Sequence, residues 1–122
     1  MDVLVDARNV LRSRWPNIPE DELVARCRSY AERTGVRLHL VFDGEAPAAG
    51  ADAEGGAGCL VVVGSGPESA DDVIAEVATR WQAEGRAYRL VTSDRELRRR
   101  AGEGAERITG GGAFAGELLA EG

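Results

Sequence analysis

Asp6, Asp43, Asp71 and Asp94 each stand just past an apolar run or at the start of the helix that follows one. In an alternating α/β chain such carboxylates converge, because parallel strands end on one side of their sheet and ligands bind in the crevice beyond. Like charges gathered on one rim repel, and a hard cation such as Mg²⁺ neutralises them. The spacing therefore points to a carboxylate-held cation and to chemistry at phosphate.

Plainer roles account for some of these positions. Ser69 with Asp72 approximates a capping box, and Ser93 with Glu96 makes a better one, so helix starts explain those four residues without catalysis. Capping does not call for Asp71 or Asp94, although both gain a little from a helix dipole. Asp6 and Asp43 directly follow apolar strands, where an unpaired carboxylate is costly, although Asp43 before Gly44 also suits a turn. Four acids at matching topological positions favour the metal reading. Asn9, three residues beyond Asp6, can hold a bound water or a phosphate, or cap a turn. His39 alternates with Leu38 and Leu40 inside a strand and reads as packed. Trp15 could stack on a base, but packing within its loop is the plainer reading. Gly64 and Gly66 match a dinucleotide fingerprint only faintly: a third glycine and the acidic residue about 20 positions on are missing.

The elements that must position the acids are legible in the apolar pattern. Strands are expected at Val3–Val5, Val36–Phe42, Leu60–Val63, Arg86–Thr92 and Glu106–Thr109. Ser13 to Pro19 reads as an ordered loop. Glu20, Asp21 and Glu22 open a helix whose apolar face is Leu23, Cys27, Tyr30 and Ala31. A second helix starts at Ser69 and turns Val73, Ile74, Val77, Ala78 and Trp81 inward, and a short arginine-rich helix follows Thr92. Residues 44–58, rich in alanine and glycine, read as a mobile flap beside the site. Residues 110–122 read as a tail that ends in a helical turn around Leu118. This alternation predicts one α/β domain over 1–122, with a mainly parallel central sheet between two layers of helices.

A chain of 122 residues, 43% apolar and 30% charged, suits one soluble globular domain. No apolar run is long enough to span a bilayer and Met1, Asp2, Val3 is not a basic leader, so the cytoplasm is the expected compartment and no membrane partner is expected. Cys27 and Cys59 fall on apolar faces and read as buried free thiols. The net charge of −6 argues against a general polyanion binder but not against nucleic acid, because part of the negative charge would sit in the metal site. Arginines are nonetheless clustered: Arg8, Arg12 and Arg14 follow the first strand, and Arg95, Arg98, Arg99 and Arg100 follow the fourth. Arg8 and Arg95, nearest the acids, are the first candidates for phosphate contacts. All 15 cationic residues are arginine.

The run Ser69, Ala70, Asp71, Asp72, Val73, Ile74, Ala75, followed by Leu90, Val91, Thr92, Ser93, Asp94, Arg95, Glu96, resembles the PIN-like and flap-nuclease superfamily. Asp6, Ala7, Arg8, Asn9, Val10, the pair Trp15 and Pro16, and Val41, Phe42, Asp43, Gly44 narrow the likeness to NYN domains of the YacP-like branch, over Val3 to about Ala101. The chain departs from the family pattern at Ala7, Arg8 and Ser69. The resemblance implies a PIN-like three-layer α/β/α fold and an endoribonuclease dependent on Mg²⁺ or Mn²⁺, acting on RNA (mRNA, rRNA or a ribosome-associated RNA). By position it implies Asp6, Asp71 and Asp94 as metal-binding catalytic acids, Asp43 and Asp72 as supporting acids, and Asn9 and Ser93 as polar site residues. It also implies 5′-phosphate and 3′-hydroxyl products.

Rival classes fare worse on the same residues. Receiver-type phosphoacceptor domains use a lysine and P-loop nucleotidases need Gly-Lys-Ser/Thr, and this chain lacks both. A haloacid-dehalogenase-like phosphatase wants an aspartate at position 8, which is Arg8. An RNA-binding domain without catalysis is the remaining alternative, and the presence of every central acid weighs against it.

Overall fold

The computed structural model describes residues 1–47 and 58–120. Strands β1 (Asp2–Asp6), β2 (Arg37–Phe42), β3 (Leu60–Gly64), β4 (Tyr88–Val91) and β5 (Arg107–Thr109) form one all-parallel sheet of five strands in the order β3-β2-β1-β4-β5. The helices are α1 (Ala7–Leu11), α2 (Glu20–Thr34), α3 (Ala70–Ala83), α4 (Arg95–Ala101) and α5 (Gly111–Ala120). None of them is long and apolar enough to cross a membrane.

β1 is buried along its whole length, as a central parallel strand with both faces covered must be. Its alternation divides the core. Val3 and Val5, with Leu38, Leu40, Phe42 and Val91, pack against Val10 of α1, Leu23, Cys27 and Ala31 of α2, and Phe114 and Leu118 of α5. Leu4, with Val41, Tyr88 and Leu90, packs against Ile74, Ala78 and Trp81 of α3 and Leu97 of α4. Helices therefore lie on both faces, giving the expected three layers. The chain runs outward from β1 to β2 and β3, then crosses to β4 on the other side of β1. The order reverses between β1 and β4, and a crevice opens beyond the carboxyl ends of such a pair.

At two places the chain is more helical than the apolar pattern predicts: the pattern gives no α1, and α5 only as a turn around Leu118. α1 spans only five residues, too short to show a helical period. Gly110 to Gly112 read as a breaker ahead of a tail, yet α5 is a ten-residue helix that buries Phe114, Ala115 and Leu118. Gly111 is there for space. A Cβ on it would lie 2.1 Å from Asn9 Oδ1 and 3.0 Å from the Asn9 carbonyl, so only glycine lets α5 come this close to α1. Most of the expected flap, residues 48–57, lies outside the described residues.

α5 is fastened by a buried cation. Arg89 on β4 donates to Tyr30 Oη at 3.0 Å, to Thr109 Oγ1 at 2.8 Å and to the Glu117 carboxylate, while Phe114 meets Tyr30 edge-on at 5.2 Å. Glu117→Ala leaves that guanidinium without its counter-charge. Because Glu117 is partly open to solvent, the expected loss is about 2 kcal/mol, the value of a hydrogen bond to a charged group, read as a lower urea midpoint.

Candidate active site

Asp6 ends β1, Asp43 follows β2, and Asp94 comes two residues after Thr92 at the end of β4. These three strands are neighbours, so the acids face one another across the reversal of strand order. Asp71 joins them from the first turn of α3. Together they line an open cleft of about 490 Å³ with Arg8, Asn9, Arg12, Ser13, Ser69 and Ser93.

Helix starts explain how so many carboxylates are held there. Asp6 caps α1, accepting from the Asn9 N–H at 3.5 Å, and Asp94 caps α4, accepting from the Leu97 N–H at 3.0 Å. Asp43 Oδ1 accepts from the Ala70 N–H at 2.8 Å and so caps α3 from outside. Each anion thus faces the positive end of a helix, which offsets part of their repulsion. Ser69 caps α3 as expected, accepting from Asp72 N–H at 3.1 Å. The expected box of Ser93 and Glu96 does not form. Asp94 takes the cap, and Ser93 is drawn elsewhere: its N–H donates to Asn9 Oδ1 at 3.0 Å and its Oγ accepts from Gly111 N–H at 3.0 Å.

Two positioning residues escaped the sequence reading. Thr92 Oγ1 donates to Asp6 Oδ2 at 3.2 Å and accepts from Asp94 N–H at 3.1 Å, tying two acids to one buried hydroxyl. In the sequence Thr92 closes an apolar strand and forms part of the run that carries the family resemblance, but neither assigns it a site role. Ser65 Oγ accepts from Gly44 N–H at 2.9 Å and donates to the Glu68 carbonyl at 2.6 Å, fixing the turn that presents Asp43. That turn also explains Gly64, where a Cβ would meet the Gly44 carbonyl at 2.6 Å.

Burial pushes the Asp6 carboxyl up to about 6; the hydrogen bonds from Thr92 and Asn9 oppose the shift, and the charges of Asp71 and Asp43 add to it. Asp71 is also raised, first by burial and then by Asp94 and Asp43. These acids therefore share one electrostatic field. Asp72 stands at its margin, the last of the causes that raise Asp71. Its carboxylate turns to Arg100 on α4 at 2.8 Å, and that hydrogen bond holds it below the usual range.

The arginines divide in the same way. Arg8 reaches Asp43 Oδ2 at 3.5 Å and lines the cleft with Arg12, whereas Arg95 is exposed and lies outside the lining. Arg98 Nε donates to the Thr92 carbonyl at 2.9 Å, so it supports the site's frame. His39 is remote from the cleft, on β2 with its Nε2 3.2 Å from Asp2 at the other end of β1. Trp15, expected to pack in its loop, is instead 91% exposed.

The donor set is all carboxylate oxygen, which suits Mg²⁺ or Mn²⁺ and no soft metal. Burial is the main cause of the raised Asp6 and Asp71, and the neighbouring carboxylates add to both, a repulsion that a cation held between them would offset. Among the described residues, no three His, Cys, Asp or Glu side chains already stand at ligand spacing. One oxygen each of Asp6, Asp43 and Asp94 is turned to a backbone N–H, and water bridges or side-chain rotation would complete a shell.

The sequence model of the YacP-like NYN domain family matches residues 3–119. Two solved structures share the fold. One is the crystal structure of Rae1 (YacP) from Bacillus subtilis, with a TM-score of 0.72 at 21% identity, covering 98% of this chain and 74% of that one. The other is its tryptophan-to-leucine mutant, with a TM-score of 0.73 at 19% identity, covering 98% of this chain and 75% of that one. At these identities the likeness carries fold and no more. No curated protein matches the chain in sequence.

Proposed function

The chain belongs to the YacP-like NYN domain family, and from that premise we propose that it is an endoribonuclease that hydrolyses RNA phosphodiester bonds with Mg²⁺ or Mn²⁺. The observation that carries this reading is the meeting of Asp6, Asp43, Asp71 and Asp94 with Arg8 and Arg12 in one open cleft. Asp6, Asp71 and Asp94 would hold the cation. When bound, it supplies a water of lowered pKa and neutralises charge developing on the phosphate oxygens.

The chain's own groups do the rest. Asp43, anchored by the Ala70 N–H, holds Arg8 at the mouth of the cleft, and Arg8 and Arg12 draw a phosphate toward the acids. In a molecule of net charge −6, such local arginines must carry the backbone contacts. Asn9 and Ser93, bonded to each other, leave hydroxyl and amide groups at the cleft wall for a phosphate oxygen or a water. Asp72 acts at one remove, by fixing Arg100 and with it the α3–α4 contact. The cleft lining holds no histidine to take a proton from a 2′-hydroxyl, which fits 5′-phosphate and 3′-hydroxyl ends.

The helix-capping oxygens favour a second reading, an RNA-binding module of weak or no activity, and one experiment separates the two. Purified protein with mixed RNAs is expected to cleave in Mn²⁺ or Mg²⁺, to stop in EDTA, and to leave 5′-phosphates. Binding without cleavage would establish the module. Cleavage that persists in EDTA, or 2′,3′-cyclic phosphate ends, would overturn the hydrolytic mechanism.

A further inference from the structure

Six aromatic side chains occur in the chain. Tyr30, Phe42, Trp81, Tyr88 and Phe114 are buried, and Trp15 alone stands in water, 91% exposed. An indole left in solvent exposes roughly 200 Å² of surface that folding would ordinarily cover. The loop that carries it is not a loose tether. Ser13 Oγ donates to the Val10 carbonyl at 2.6 Å, Ile18 N–H donates to the Leu11 carbonyl at 3.2 Å, and the Ile18 side chain is buried in the core. Both ends of the loop are pinned and its apex is presented.

The segment that carries Trp15 is cationic and adjoins the acid cleft. From Ala7 to Pro19 the chain has three arginines, Arg8, Arg12 and Arg14, and no acidic residue, against a net charge of −6 overall. Arg12 and Ser13 line the acid cleft. Arg8 and Arg12 also line an adjoining cavity of about 290 Å³, together with Asn17 and Ile18 of the loop and the carboxylates Asp43 and Glu20. Trp15 is two residues from Ser13, so its Cα lies at most about 7 Å from the cleft rim. That is roughly two nucleotides at the most compact spacing of a nucleic-acid strand.

An exposed planar ring with arginines tracking back to a phosphate-cutting site is how proteins hold single strands: bases stack on the ring while guanidinium groups follow the backbone. We propose that Trp15 is a stacking platform for an unpaired RNA base flanking the scissile phosphate, so that the substrate is single-stranded RNA held by Trp15 and Arg12. The inference rests on the nuclease reading for the identity of the strand, but not for the existence of the platform. A duplex keeps its bases stacked on one another and offers the ring nothing.

The test is titration of the wild type, Trp15→Ala and Trp15→Phe into a short end-labelled single-stranded RNA, and into the same sequence as a duplex, with binding followed by anisotropy of the RNA label and indole emission read in the wild type. The wild type should bind the single strand more tightly and its exposed indole should be quenched. Trp15→Ala should weaken single-strand binding by about 5- to 150-fold, the measured range for one lost base–aromatic stack. Trp15→Phe should restore most of that affinity. In cleavage assays Trp15→Ala should raise KM with little change in kcat, because the ring touches no reacting atom, and its thermal midpoint should match the wild type. If wild type and Trp15→Ala bind single strands equally, the platform is wrong and the nuclease reading stands. If the wild type binds no RNA of either form, both the platform and the nuclease reading fall. Equal affinity for single strand and duplex would also sink the proposal.

Discussion

Asp6→Asn is expected to abolish RNA cleavage and, above pH 6, to make the fold more stable. Asp6 is 6% exposed, and burial lifts its carboxyl from 3.8 to about 6. Between those values the folded protein holds a proton that the unfolded chain has released. Stability from this group is therefore complete below about pH 4 and is lost as pH rises through 6. At pH 8 the deficit is about 3 kcal/mol, taking about 1.4 kcal/mol for each pKa unit. Asparagine keeps the oxygen that Asn9 N–H addresses and carries no charge to bury. The variant should thus melt roughly 10 °C higher than wild type at pH 8 and nearly level with it at pH 4. Its cleavage rate should fall about 10³-fold or more, the scale for removing a preorganised electrostatic group. Equal melting at both pH values would mean that Asp6 titrates normally, and would remove the electrostatic argument for a cation.

The same balance governs metal addition. A cation that binds only the folded state adds about 2.7 kcal/mol at 100 times its dissociation constant, and it competes with the proton on Asp6. Mg²⁺ or Mn²⁺ should therefore raise the wild-type melting point at pH 8, do little at pH 5, and do little to Asp6→Asn at either. Evolution would then be holding an unstable anion at the sheet edge because the reaction needs it.

The strand ends that carry the acids were readable because β1, β2, β3 and β4 are short apolar runs, and polarity returns at their ends. The sheet's parallel sense followed from the alternation with helices. What could not be read was decided by contacts distant in sequence. Ser93 and Asp94 are both good caps, and Asp94 wins because Asn9 and Gly111 occupy Ser93. Asp71 and Asp72 are both acidic, but neighbours on a helix point about 100° apart, so only one can face the cleft. The other meets Arg100. Arg98 resembles Arg95 in sequence, yet it turns back to the Thr92 carbonyl. Thr92 looks like the last residue of a strand until Asp6 and Asp94 are placed on either side of it. The three glycines before α5 announce a break in any local reading, and only the packing of α5 on α1 gives one of them its purpose.

That purpose makes Gly111→Ala the most informative change outside the acids. The added methyl would have to occupy space 2.1 Å from Asn9 Oδ1 and 3.0 Å from the Asn9 carbonyl. The amide oxygen could swing away, but it would then leave Ser93 N–H unpaired. The backbone carbonyl cannot move without shifting α1, which begins at the Asp6 cap. Strain of this kind costs about 1–3 kcal/mol, and here it falls on the segment that aims Asp6, Asn9 and Arg8. A loss of about 3 kcal/mol in urea unfolding is expected, together with activity lower than the remaining folded fraction explains. Asn9→Ala removes the side-chain half of the clash, so the double variant Asn9→Ala/Gly111→Ala should recover part of the stability lost by Gly111→Ala alone, a positive coupling in a double-mutant cycle. It should not recover cleavage, because Ser93 would still lack its partner. If the two changes add without coupling, α5 does not bear on Asn9. If the double variant cleaves like the wild type, Asn9 and Ser93 lie outside the machinery and the site reduces to its four carboxylates.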